Sequence, residues 1–181
     1  MTNYHANKNW ISDECFRRSV KFYSRMGVES KRAVGKIWDE QGVVCQQYCE
    51  RNSSVSKPKP FSGLEFVISN ASTSEELVFR KVSYPRSVFE IFKGAAAIGT
   101  VRKRGIFRNR YTIDLGGLVH WKFCIPLFST RFRGESEDKG SFWVSVGPSK
   151  AEWSILIEPN SSNHILIAVL AFIHNEYWNH G

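Results

Sequence analysis

Between about residues 18 and 158 the chain runs in short segments in which apolar and polar residues alternate, or in which β-branched and aromatic residues gather. Each segment stops at Gly, Pro, Ser, Asn or Asp. A period of two marks strands with one buried face. The pattern predicts strands over 19–26, 34–38, 43–50, 64–69, 77–82, 87–93, 97–104, 107–115, 118–128, 131–135, 142–146 and 153–158. Asp39-Glu40-Gln41-Gly42 and Gly116-Gly117 read as hairpin turns, and 52–60 reads as a loop because Pro58 and Pro60 cannot donate to a sheet ladder.

The period then changes. From Ile165 to Ile173 (Ile-Leu-Ile-Ala-Val-Leu-Ala-Phe-Ile) every position is apolar, within a helix predicted from near His164 to about Trp178, with Pro159 to Asn163 supplying its caps. The run would span about 14 Å at helical rise. That is about half the ~30 Å hydrocarbon layer, so the helix is expected inside protein rather than membrane. Together the two patterns predict a mainly β fold, a closed antiparallel barrel of about twelve strands around a buried C-terminal hydrophobic helix. Residues 1–16 are polar and aperiodic and read as a tail or short helix, leaving 17–181 as the barrel domain.

Composition supports one large core. The 181 residues are 42% hydrophobic and 14% aromatic, enough to fill an interior without disulfides or metal. The start has neither a basic flank leading into an apolar stretch nor a glycine at position 2, so a cytosolic place is expected, where Cys15, Cys45, Cys49 and Cys124 stay reduced. The pairs Cys45/Cys49 and His120/Cys124 do not have zinc-site spacing, and they read as core or surface residues. His164 and His174 flank the apolar run and are expected to cap or snorkel. Glu135, Glu137 and Asp138 read as a solvated turn. No motif for a nucleophile, phosphate loop or metal is present, and no catalytic residue, metal or cofactor is assigned.

Charge narrows the partner. The formal net charge is +8, and from Phe79 to Arg133 twelve basic residues stand against Glu90 and Asp114, a local surplus of ten. A surplus of this kind suits a polyanion. The sharpest concentration is Arg102, Lys103, Arg104, Arg108 and Arg110. Strand alternation turns Arg102, Arg104, Arg108 and Arg110 outward, and a three-residue loop of Gly105, Ile106 and Phe107 would set Arg104 opposite Arg108 and Arg102 opposite Arg110. Opposed like charges cost about 0.2–1 kcal/mol per pair, which a bound anion would relieve. The same arginines also suit a solvated face with no ligand.

Several stretches resemble the tubby C-terminal-like superfamily, which includes plant LURP-one-related proteins and phospholipid scramblases. They are Gly35-Lys36-Ile37-Trp38-Asp39-Glu40-Gln41-Gly42, Leu64 to Asn70 with Glu76 to Arg80, Val88-Phe89-Glu90-Ile91-Phe92-Lys93, Ile98-Gly99-Thr100-Val101, Phe107 to Ile113, and the apolar C-terminal helix. The resemblance covers about residues 18–178. It implies a twelve-stranded barrel around that helix and binding to membrane lipid, since tubby-like members bind phosphoinositides. Scrambling is not carried over. The calcium segment of spaced aspartates is absent, with Glu158-Pro159-Asn160-Ser161-Ser162-Asn163 in its place, and the cluster of palmitoylated cysteines is missing.

The leading expectation is therefore a non-enzymatic barrel, cytoplasmic and peripheral at the membrane, without a transmembrane span. It would bind an anionic phospholipid surface, a phosphoinositide first, through Arg102, Lys103, Arg104, Arg108 and Arg110, with Arg80 and Lys81 as neighbours. A nucleic-acid-binding basic barrel and a protein-interaction barrel remain as alternatives.

Overall fold

The computed structural model describes residues 11–52, 64–83, 87–105, 108–126, 130–136, 138, 140–159 and 163–180. A short helix α1 (Asp13–Arg18) leads into β1 (Val20–Glu29), β2 (Arg32–Asp39), β3 (Val44–Asn52), β4 (Leu64–Asn70), β5 (Glu76–Ser83) and β6 (Ser87–Lys93). Then follow β7 (Ala96–Arg104), β8 (Arg108–Leu115), β9 (Leu118–Pro126), β10 (Arg131–Gly134), β11 (Phe142–Val146), β12 (Glu152–Ile157) and α2 (Asn163–His180). The expected tip residues Ile106 and Phe107, the loop 53–60, the turn 84–86, Leu127, Phe128 and the caps at 160–162 lie outside the described residues.

The strands form one sheet in the order β10-β11-β12-β1-β2-β3-β4-β5-β6-β7-β8-β9. Every neighbouring pair is antiparallel, and β12 returns to pair with β1 from Val20↔Ile157 to Arg25↔Glu152. The ring is nearly closed. Its seam lies between β9 and β10, which share the isolated bridge Lys122↔Glu135. Both seam strands limit edge pairing, β9 by ending on Pro126, which has no N–H, and β10 by being four residues long.

Turn chemistry sets where strands stop. Leu115 pairs with Leu118 across Gly116 and Gly117, both at positive φ (62° and 84°), a two-residue turn that L side chains resist. The β1–β2 turn has the same shape without glycine: Ser30 and Lys31 adopt φ of 49° and 65° between the pair Glu29↔Arg32. This is why β1 runs to Glu29 and not to Met26, the end expected from the sequence. Nothing in the residue types at 27–33 announced so tight a reversal.

Inside the ring, α2 is buried from Leu166 to Asn175. Phe172 sits at the centre of its packing, with its ring 4.6 Å from Phe79, 4.7 Å from Phe89 and 5.6 Å from Phe66, so three adjacent strands meet one helical side chain. Ala168 and Ala171, both fully buried, keep the helix narrow. No helix among the described residues is long and apolar enough to cross a membrane. Outside the ring a smaller cluster of Ile11, Trp143 and Leu156, with Cys15 of α1 against it, covers the outer face of β11 and β12.

His174 does not snorkel. It is 0% exposed, its ring stacks on Trp153 at 4.3 Å, and both nitrogens are engaged, one with Ser24 Oγ and one with the Lys150 carbonyl, each at 2.9 Å. A carbonyl only accepts, so Nε2 carries the proton and Nδ1 accepts from Ser24. Burial pushes its pKa from 6.5 down to about 3, against a smaller opposing effect of the bond to Lys150. A depressed pKa means the unfolded chain takes up the proton first. Stability is therefore full above about pH 6.5 and declines as pH falls from there toward about 3.

Two measurements follow from this core. Phe172→Ala should lose about 3–5 kcal/mol in urea denaturation, and a loss under about 1 kcal/mol would mean that the ring contacts do not hold the helix. His174→Leu should show a flatter decline of stability between pH 6.5 and 4 than the unaltered protein, whereas parallel curves would remove His174 as the acid-sensitive group.

Candidate basic face on the outer wall

Alternation puts Val101, Tyr111, Ile113, Phe123 and Ile125 inside, which leaves Arg102, Arg104, Arg110 and Lys122 exposed on the outer wall of β7, β8 and β9. The register orders them in rows across the strands. One row runs Val88, Arg102, Thr112, Lys122, and the next toward the hairpin tip runs Arg104, Arg110, Cys124. Within these strands the acidic residues sit one row in the other direction, where Glu90 and Asp114 flank Thr100, and across the seam Glu135 stands opposite Lys122. Charge is thus sorted along the strands, positive toward the tip.

The pairing differs from the expected one. Arg104 faces Arg110, and Arg102 faces Thr112 with Arg110 on its diagonal. Arg104 is not opposite Arg108, and the chain between the last paired residues is five residues long, not three. Arg108 and Asn109 pair with Pro126 and Ile125 of β9 alone, so β8 outruns β7. A slip of two residues preserves every inward and outward assignment, which is why the facing was legible and the register was not. By register Arg108 holds a position on the same outer face. Among the described residues Arg102, Arg104, Arg110 and Lys122 form no ion pair.

Three residues expected in the site lie apart from it. Arg80 is engaged with Glu65: Nη2 lies 2.5 Å and Nε 2.8 Å from Oε1, and the guanidinium covers the Phe92 ring at 4.6 Å. Lys81 shares the inward face with its partner Phe89 and lies 5.8 Å from that ring. Lys103 is paired with Tyr111, a core residue, and so also belongs to the inner face. Tyr111 itself is buried, its hydroxyl has no hydrogen-bond partner among the described residues, and burial first, then Glu176 and Tyr177, push its pKa far up.

Lys122 is the member that charge counting alone did not single out. Its signal was its alternation with the buried Trp121 and Phe123. No group of three His, Cys, Asp or Glu that could hold a metal occurs among the described residues. His120 is engaged at the seam, with Nδ1 3.0 Å from Asp138 and Nε2 3.1 Å from the Leu115 carbonyl. The Ser136 hydroxyl, with His120 helping, holds the Asp138 carboxyl below its usual range. These contacts tie the turn after β10 to β9, and Arg133 pairs with Glu135 in the same turn.

Glu65 is buried on the outer wall of β4 with Arg80 and Arg51 as ionic partners. Removing one partner of a buried pair costs more than removing both. Arg80→Ala should lose about 3 kcal/mol in denaturant unfolding, and adding Glu65→Gln should recover part of it. An Arg80→Ala protein as stable as the unaltered chain would contradict the pairing.

The chain matches no protein-family model, no curated protein and no solved structure. Its functional reading rests on this geometry and on the sequence.

Proposed function

We propose that the protein is a non-enzymatic barrel that binds an anionic phospholipid surface, with a phosphoinositide headgroup as the preferred class, through Arg102, Arg104, Arg110 and Lys122. The observation that carries this reading is the direct apposition of Arg104 and Arg110, with Arg102 on the diagonal and no carboxylate in the row Arg104, Arg110, Cys124; the Arg102 row meets one only across the seam, at Glu135 beyond Lys122, and Glu135 is paired with Arg133. Planar guanidinium forks match phosphate oxygens, and a phosphate between two of them relieves their repulsion. Lys122 extends the charged area toward the seam. Arg80, Lys81 and Lys103 have no part in this surface, because the first is held by Glu65 and the other two belong to the inner face.

Co-sedimentation with vesicles tests the reading. Neutral phosphatidylcholine vesicles should leave the protein in the supernatant, and vesicles doped with a phosphoinositide should pull it down. Each basic residue near an anionic surface contributes about 1 kcal/mol, so Arg102→Ser, Arg104→Ser and Arg110→Ser together should weaken binding on the order of 100-fold. Equal, negligible binding to both vesicle types would end the proposal. Salt-sensitive retention of an oligonucleotide without vesicle binding would assign the same face to nucleic acid instead.

A further inference from the structure

On the far side of the ring, a cleft of about 570 Å3 opens on the wall built by β1, β2 and β3 and reaches Ser69 of β4. β2 and β8 are six places apart in the twelve-strand order, so the cleft is separate from the basic face. Its size falls in the range of small-ligand sites.

Four of its side chains form one row across four strands. Arg25 faces Lys36, Lys36 faces Gln47, and Gln47 faces Ser69. Two cations directly opposed are again destabilising unless an anion sits between them. Lys36 is exposed and forms no ion pair among the described residues, while Arg25 meets Glu152 at 3.5 Å through Nε in a pair exposed on both sides, a weak contact. Trp38 lines the cleft one strand repeat from Lys36 on the same face and is backed by Tyr23, with ring centroids 6.2 Å apart and planes 19° apart. On the other side of the cations the trough stays open because Gly27 has no side chain, and nothing lies within 4 Å of where its Cβ would be. The acidic member, Glu29, is four residues along β1 from Arg25, about 13 Å away at strand rise, and it faces Arg32.

We infer that this cleft binds a small planar ring that carries a phosphate, a ligand of the mononucleotide class. The ring lies against Trp38, and the phosphate is held between Arg25 and Lys36. Gln47 and Ser69 supply hydrogen bonds to ring-edge or sugar oxygen and nitrogen atoms. The two-residue strand repeat of about 6.7 Å between Trp38 and Lys36 matches the reach from a base to its phosphate. Glu29, at the other end, leaves the anion one place to sit. The inference does not depend on lipid binding by β7 to β9.

The test uses the full chain titrated with AMP, GMP, CMP and UMP, with adenosine, inorganic phosphate and a short single-stranded oligonucleotide as separate arms. Cys49, exposed and lining the cleft, gives a local readout through its rate of alkylation. At least one mononucleotide should bind saturably, more tightly than nucleoside or phosphate alone, and should protect Cys49. Trp38→Leu should weaken binding about tenfold or more, the loss expected for one ring stack. Lys36→Glu, an exposed change that leaves the core alone, should weaken it by a similar factor. No saturable binding of any mononucleotide, binding of the oligonucleotide alone, phosphate binding as tightly as the nucleotides, or nucleotide affinity unchanged by Lys36→Glu would each overturn the inference.

Discussion

The enclosure of α2 is the constraint on which the rest depends. A helix that is apolar on every side has no face to give to water. An eight-stranded barrel is filled by its own side chains, so twelve strands leave a bore that must be filled by something else. A helix of about 10–12 Å across, kept slender here by Ala168 and Ala171, is a filler of that size. Neither partner has a stable alternative: the wall without the helix would hold a large void, and the helix without the wall would expose Leu166 to Ile173. The stacking of Phe172 on Phe79, with Phe66 and Phe89 at its edges, is where this mutual dependence is densest.

From that constraint follows a division of labour along each strand. Inward positions are consumed by the helix, apart from a few polar exceptions such as Gln46, which donates to the His164 carbonyl, and Ser24, which bonds the helix's own buried His174. Outward positions are mostly free of that duty, apart from the small outer cluster of Ile11, Trp143 and Leu156 and the buried Glu65. Two groups of outward cations among the described residues lie on opposite walls: Arg102, Arg104, Arg110 and Lys122 on one, and Arg25 with Lys36 beside an aromatic pair on the other. The first is exposed outer wall, where we propose the anionic surface binds, and the second lines the cleft for which we propose a small ligand.

Much of this was legible in the sequence, and the parts that were not share a cause. Strand and helix positions followed from the change of period, since a two-residue alternation and an all-apolar run are both local signals. The register of β7 against β8 was not, because an even slip leaves every residue on its proper face and only loop length decides it. The end of β1 was missed because Ser30 and Lys31 make a turn that usually carries glycine. Alternation with Phe79 and Val101 already placed Lys81 and Lys103 on the inner face, and counting charge without regard to facing obscured it. The capture of Arg80 depended on Glu65, its cross-strand partner fifteen residues away, which becomes visible only once β4 and β5 are set in register. His174 looked like a flanking residue because its partners, Ser24 and Lys150, lie on distant parts of the chain.

Native-state hydrogen exchange of the α2 amides probes the enclosure most directly. If the helix is held inside a nearly closed ring, the amides from Leu166 to Ile173 should exchange only when the whole domain opens, with the same free energy and denaturant dependence as the slowest strand amides. Exchange of those amides through a local opening, at a free energy well below that of global unfolding, would contradict the account.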